Sequence, residues 1–250
     1  MDWSSAVSML RTLNVPGAAM GAALAAVALV LFITLGRQTL TRAQLVGGVI
    51  GLVLGAALFV PSITEVQVPL QSLASRWATE HLATANSLVL SLPAILLTGI
   101  VQEPAKLVGA ALGIWAARHG RRRAAPAIGA LAGAGYGGME AAIILSYALA
   151  VTPSGTFPWL AAIERASAVI FHLSLPGIVM LWWTQGAARG LLSLLGAVLA
   201  HAALDSLPVL LTMGMISIAA AEAIVGAFSL ALFGCLVFLS RGAKRDEQDS

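Results

Sequence analysis

Glu103, Glu140, His172, His201 and Asp205 stand inside apolar stretches long enough to cross a membrane. An ionisable side chain in hydrocarbon is costly unless it is paired or wetted, so it marks a functional site by default. Two imidazoles with a carboxylate form a ligand set for Zn²⁺ that keeps one position open for water. A second carboxylate can take the proton as that water attacks a carbonyl. The reaction implied is hydrolysis, most naturally of a peptide bond in or beside the membrane. A metal-free version, in which a glutamate–histidine pair activates the water, is also physically sound. No serine is tied to a histidine by spacing, and Asp205 is the one embedded aspartate, so an aspartate pair is excluded.

The local patterns give each residue a role and a plainer alternative. His201 and Asp205, in HAALD, share one helix face at i,i+4. They either point at one ion or water, or form an interhelical hydrogen bond worth about 1 kcal/mol. Glu140 follows a surface in which Gly129, Gly133 and Gly137 recur every four residues, with Gly135 and Gly138 thinning the rest. A neighbouring backbone or a substrate can come close there. Glu140 is then a ligand, a general base, or a partner for Lys106. Tyr136, one turn earlier, donates a hydrogen bond to the site or packs. Glu103 and Lys106, in VQEPAKL, lie three apart. The ammonium either neutralises the carboxylate structurally or favours its ionised form as base or ligand.

The catalytic candidates are therefore Glu103, Glu140 and Lys106, with either glutamate as the base. The metal candidates are Glu140, His172, His201 and Asp205. His172, in FHLSLPG, is a ligand or a neutral ring bonded to a nearby carbonyl or serine. Glu164 and Arg165 read as a structural pair near the outer boundary. Glu222 is an outlier with no embedded basic partner: protonated, near the surface, or at an oligomer contact. His81 and His119 fall in loops.

These residues need a membrane fold to position them. The chain is 59% hydrophobic and 10% charged, against roughly 25% charged in soluble domains. Its apolar runs are continuous, which excludes a β-barrel and indicates an all-α polytopic protein. Seven spans are expected, at about 15–36, 43–63, 87–117, 125–149, 160–184, 190–212 and 216–239. The third contains Pro93, Gly99 and Pro104 and is expected to enter near 83–95 as a partly re-entrant piece before a long kinked helix. Segment 64–82 reads as the longest loop, amphipathic and interfacial. Helical rise puts Glu103, Glu140, His172 and His201 roughly 17–22 Å along their spans, at one depth, where they can share a cavity.

The net charge of +3 comes mostly from arginines in loops and tail and does not point to nucleic acid. Arg37 and Arg42, Arg118 and Arg121 to Arg123, Arg189, and Arg241, Lys244 and Arg245 fall on alternate connections. The positive-inside rule then places the N-terminus outside and the C-terminus in the cytoplasm. The first apolar run is read as a retained helix. One transmembrane domain, 1–240, with a protease-like core at about 90–212, is followed by a charged tail, 241–250. Cys235 is the only cysteine, so a disulfide within the chain is excluded.

QEPAK (102–106), GYGGMEAAI (135–143), ERASAVIFH (164–172) and HAALD (201–205) together resemble the motifs of the glutamic-type intramembrane protease superfamily. This includes the CAAX prenyl-protease and bacteriocin-processing, PrsW and YhfC families, and the likeness is greatest to the YhfC- and PrsW-like branches. It spans about residues 90–210, half of the chain. It implies a multi-pass protein of a bacterial inner membrane that cleaves a membrane protein or peptide. Glu103 then matches the second glutamate of a pair and Lys106 the basic residue. Glu140, His172, His201 and Asp205 match the remaining site positions. Gln102 stands where the family has its first glutamate, and Tyr136 where the YhfC-like motif often has histidine. Glutamine is no general base, so Glu103 or Glu140 must do that work, or proteolysis is lost. The alternatives are a catalytically silent membrane scaffold or chaperone-like subunit, and a transporter, which calls for inverted repeats or paired broken helices.

Overall fold

The computed structural model describes residues 11–36, 38, 40–117 and 121–245, with backbone alone at 121–123 and 242–245. Arg37, Arg118 and His119 of the expected basic and loop positions, the first ten residues and the tail from 246 lie outside the described residues. The described chain is helical throughout. Helix α1 is Val15–Leu35, α2 Arg42–Pro61, α3 Val68–His81, α4 Ser87–Ala117 and α5 Arg121–Val151. Helix α6 is Trp159–Trp183, α7 Ala187–Asp205, α8 Leu207–Thr212 and α9 Ile218–Arg245. Asn14 caps α1 by accepting from the Gly17 amide, and Thr41 with Gln44 forms a capping box on α2. Seven helical stretches are long and apolar enough to cross a membrane, at the positions expected.

Two expectations on the first half of the chain are corrected. Segment 64–82 is not a loop. A six-residue π-helical turn, Ser62–Gln67, links α2 directly to α3, making one stretch of 40 residues, Arg42–His81. Nor is there a re-entrant piece at 83–95, because α4 runs from Ser87 as one helix through both Pro93 and Pro104. Each proline removes a single backbone donor, a loss that packed transmembrane helices tolerate.

Helix α5 is the axis of the bundle: 83% of its most apolar stretch is buried, against 22% to 56% for the other spans. Its alanines and glycines allow this, because three neighbours approach its backbone at once. A Cβ on Gly135 would strike the Leu52 carbonyl of α2. One on Gly138 would lie 3.0 Å from Ala25 Cβ on α1. On the third side, Gly129 faces Pro176 and Gly133 faces the His172 carbonyl, both on α6. The four-residue glycine pattern is thus filled by a helix backbone. Fully buried Phe32, Leu145, Val169, Leu173 and Leu236 close the core around it. Large apolar side chains such as Val27, Trp115, Leu192 and Phe238 point outward, as a lipid-facing surface requires.

Candidate functional site

Four helices deliver the polar residues to one place, and small residues set how closely they come. On α4, Thr98, Gln102, Glu103 and Lys106 are all buried. A Cβ on Gly99 would be 2.5 Å from the Val198 carbonyl of α7, so this glycine lets α7 bring His201 against Glu103. A Cβ on Gly137 would be 2.8 Å from His172 Cβ, so the α5 glycines seat His172 beside Glu140 in the same way. Arg165 lies seven residues before His172 on α6, two helical turns away on the same face.

The contacts form one chain of charge. Lys106 Nζ is 2.5 Å from Glu103 Oε1 and 3.0 Å from His172 Nδ1. His201 Nδ1 is 2.6 Å from the same Glu103 oxygen. On its other side, His172 Nε2 is 2.6 Å from Glu140 Oε2, and Arg165 Nη1 donates to Glu140 Oε1 at 2.9 Å. Arg165 also pairs with Glu164. Asp205 Oδ2 stands 3.8 Å from His201 Nε2. An ammonium has no lone pair, so His172 Nδ1 must accept from Lys106 and Nε2 carries the proton toward Glu140. A carboxylate can only accept, so His201 donates from Nδ1 to Glu103 and leaves Nε2 on the side of Asp205. Phe171 packs edge-on to both imidazoles, with centroids 5.6 and 5.4 Å away.

A second layer holds this cluster from behind. The Tyr136 hydroxyl is 2.7 Å from Ser62 Oγ, and the Tyr136 ring lies 5.5 Å from Lys106 Nζ. Gln102 Nε2 donates to Gln67 Oε1 at 3.0 Å, and Gln71 Nε2 to Thr98 Oγ1 at 3.0 Å. The π turn and α3 therefore supply polar support, and π turns recur at functional positions. Within this layer the buried Gln102 Oε1 is left without a hydrogen-bond partner among the described residues.

A cavity of about 430 Å³ opens on this cluster, with Glu140, Arg165, His172, His201, Asp205 and Glu222 among its walls. Apolar side chains of α6 to α9, among them Leu160, Phe171, Leu204, Leu211 and Val225, also line it. Glu103 and Lys106 are not on the wall; they sit behind the two histidines.

Glu103, Glu140, His172 and His201 thus converge as their shared depth predicts. The donors that meet closely enough for one ion, within 4.8 Å of one another, are Glu103, His172 and His201. Glu140 reaches this group through His172, and Asp205 through His201. Lys106 takes Glu103 as its partner, whereas Glu140 takes Arg165. Arg165 is more than the outer structural pair expected, since it grips a site carboxylate and lines the cavity; its seven-residue spacing from His172 was the available signal. Ser62, Gln67 and Thr98 gave no comparable signal, being uncharged and, for Ser62 and Gln67, placed by the π turn. Glu222 also reaches the cavity.

The described residues therefore make an all-α, multi-span protein with a buried Glu–His–His cluster able in geometry to hold a metal or activate water. No family model matches the chain, and no curated protein or solved structure matches it significantly.

Proposed function

We propose that this protein is an intramembrane endopeptidase of the glutamic type, as its motifs resemble, residing multi-pass in a bacterial inner membrane. The single observation that carries the reading is the cavity wall, where Glu140, His172, His201 and Asp205 stand together on one chamber of about 430 Å³. A cavity of that size with several polar groups on its wall has both the room and the hydrogen-bond partners that a water needs. That water is the nucleophile. The topology read from the basic loops puts the chamber in the outer half of the membrane, walled in part by the first turns of α6 and α9.

Glu140 is the base. It takes a proton as the water oxygen bonds to the scissile carbonyl carbon. It then returns the proton to the amide nitrogen as the C–N bond breaks. Arg165 holds one Glu140 oxygen and His172 Nε2 the other, and the second lone pair of that oxygen is the one that takes water. Glu103 orients His201 so that Nε2 faces the chamber, and Lys106 fixes the tautomer of His172. These two act from behind, as positioning residues. The donor set of Glu103, His172 and His201 fits zinc by type, which when bound would supply Lewis acidity to the carbonyl. Gln102 is adjacent to Glu103 and donates to Gln67, a role glutamine performs without being a base.

The test compares membrane-protein termini in cells carrying the wild type, Glu140→Gln or His201→Ala. New termini within or beside apolar segments, present with the wild type and lost in both variants, are expected. Identical terminus sets would remove the protease reading. They would favour a silent scaffold, for which the mutual saturation of Glu103, Lys106 and His172 is the supporting observation.

A further inference from the structure

The pocket between Glu103, His172 and His201 already holds a positive charge. Lys106 is fully buried, and its ammonium touches two of the three donors, at 2.5 Å from Glu103 Oε1 and 3.0 Å from His172 Nδ1. The third donor is engaged as well, since His201 Nδ1 lies 2.6 Å from the same oxygen. Two ligands of a tetrahedral zinc, each about 2.0–2.1 Å from the metal, stand about 3.4 Å apart. The His201–Glu103 separation is a hydrogen bond, not a ligand–ligand edge. Loading an ion would require these two atoms to part and the ammonium to leave. The Tyr136 ring face lies 5.5 Å from the ammonium, and a second cation beside it would be repelled in a low-dielectric interior. The donor types and their spacing suit a metal, but the donors are engaged by the ammonium and by one another.

We propose that the Lys106 ammonium is the resident cation of this pocket, taking the place of a divalent ion between Glu103 and His172, so that the site works without metal. The helix geometry supports it. Lys106 follows Glu103 at i,i+3, so both side chains leave α4 on one face, and His172 is brought over them by the glycine face of α5. The inference deepens the proposed function by naming what sets the charge of the centre, and it relies on that reading only for the identity of the pocket.

The experiment titrates full-length protein in lipid nanodiscs with zinc chloride, following heat and bound metal, for the wild type, Lys106→Met and Lys106→Met/His172→Ala. The wild type is expected to retain less than about a tenth of an equivalent after dialysis, while Lys106→Met binds zinc at least about tenfold more tightly. The added His172→Ala change abolishes that gain. A wild type holding one equivalent that His201→Ala removes would overturn the proposal, as would Lys106→Met binding no better than the wild type. If Lys106→Met does not fold, Lys106→Gln replaces it, and the wild-type stoichiometry decides by itself. Terminus profiling in parallel separates the two ideas. The expected zinc pattern without any cleavage sinks the protease reading and leaves the cation assignment. Cleavage by a zinc-loaded wild type does the reverse.

Discussion

Removing one half of the Glu103–Lys106 pair should cost far more than removing both. The two side chains are 1% and 0% exposed, with 2.5 Å between their charged atoms. Breaking a buried pair by deleting one partner leaves an uncompensated charge, a loss of about 3–5 kcal/mol. Glu103→Leu strands the ammonium against His172 alone, and Lys106→Met strands a carboxylate against His201 alone. The double variant leaves no stranded charge. It still forfeits the charge-assisted bond from His201 to Glu103, about 1.5–3 kcal/mol. Additive behaviour would give about 6–10 kcal/mol for the double, so the coupling is expected to be about 3–8 kcal/mol and favourable. The assay is reversible unfolding in mixed micelles, followed by helical circular dichroism, with all four proteins at one micelle composition. Single variants that each lose under about 1 kcal/mol, or a double equal to their sum, would refute the claim that this pair is a dry, mutually dependent unit.

Three further outcomes follow from the packing and the cavity. Gly133→Ala should destabilise by about 1–3 kcal/mol and impair function, because its Cβ would collide with the His172 carbonyl; Gly196→Ala, with nothing within 4 Å, should be neutral or stabilising by up to about 1 kcal/mol. Melting temperatures of both variants check this contrast. Arg165→Gln frees the Glu140 oxygen that it holds at 2.9 Å, and should lower cleavage at least about tenfold, as terminus profiling would read. Tyr136→Phe removes one hydroxyl, but Ser62 keeps its bond to the Phe59 carbonyl at 2.8 Å, so a loss of only about 0.5–1.5 kcal/mol is expected in the same unfolding assay.

The sequence by itself determined the class of protein and the depth of its polar residues. Continuous apolar runs admit only helices that satisfy their own backbone in lipid, and the fixed rise per residue sets how far along each span an ionisable group lies. That was enough to bring Glu103, Glu140, His172 and His201 into one region. It also limited what the chain could say about 64–82, whose mixed polarity suits an interfacial loop as well as a helix that turns one polar face to α4. Only the packed structure distinguished these, because the partner of Gln71 is Thr98, 27 residues on.

The azimuth of each helix about its own axis was likewise a tertiary decision. Periodicity fixes which residues share a face but not which neighbour that face meets. Whether the glycine face of α5 received a substrate or a helix depended on α6 reaching it first, with the His172 carbonyl over Gly133. Whether Lys106 neutralised Glu140 or Glu103 depended on the same contact. Once α6 lies on that face, His172 stands between Lys106 and Glu140 and Arg165 is carried to the glutamate. The ionisable residues were written in the chain, but their pairing was set by the close approach of backbones that small side chains permit.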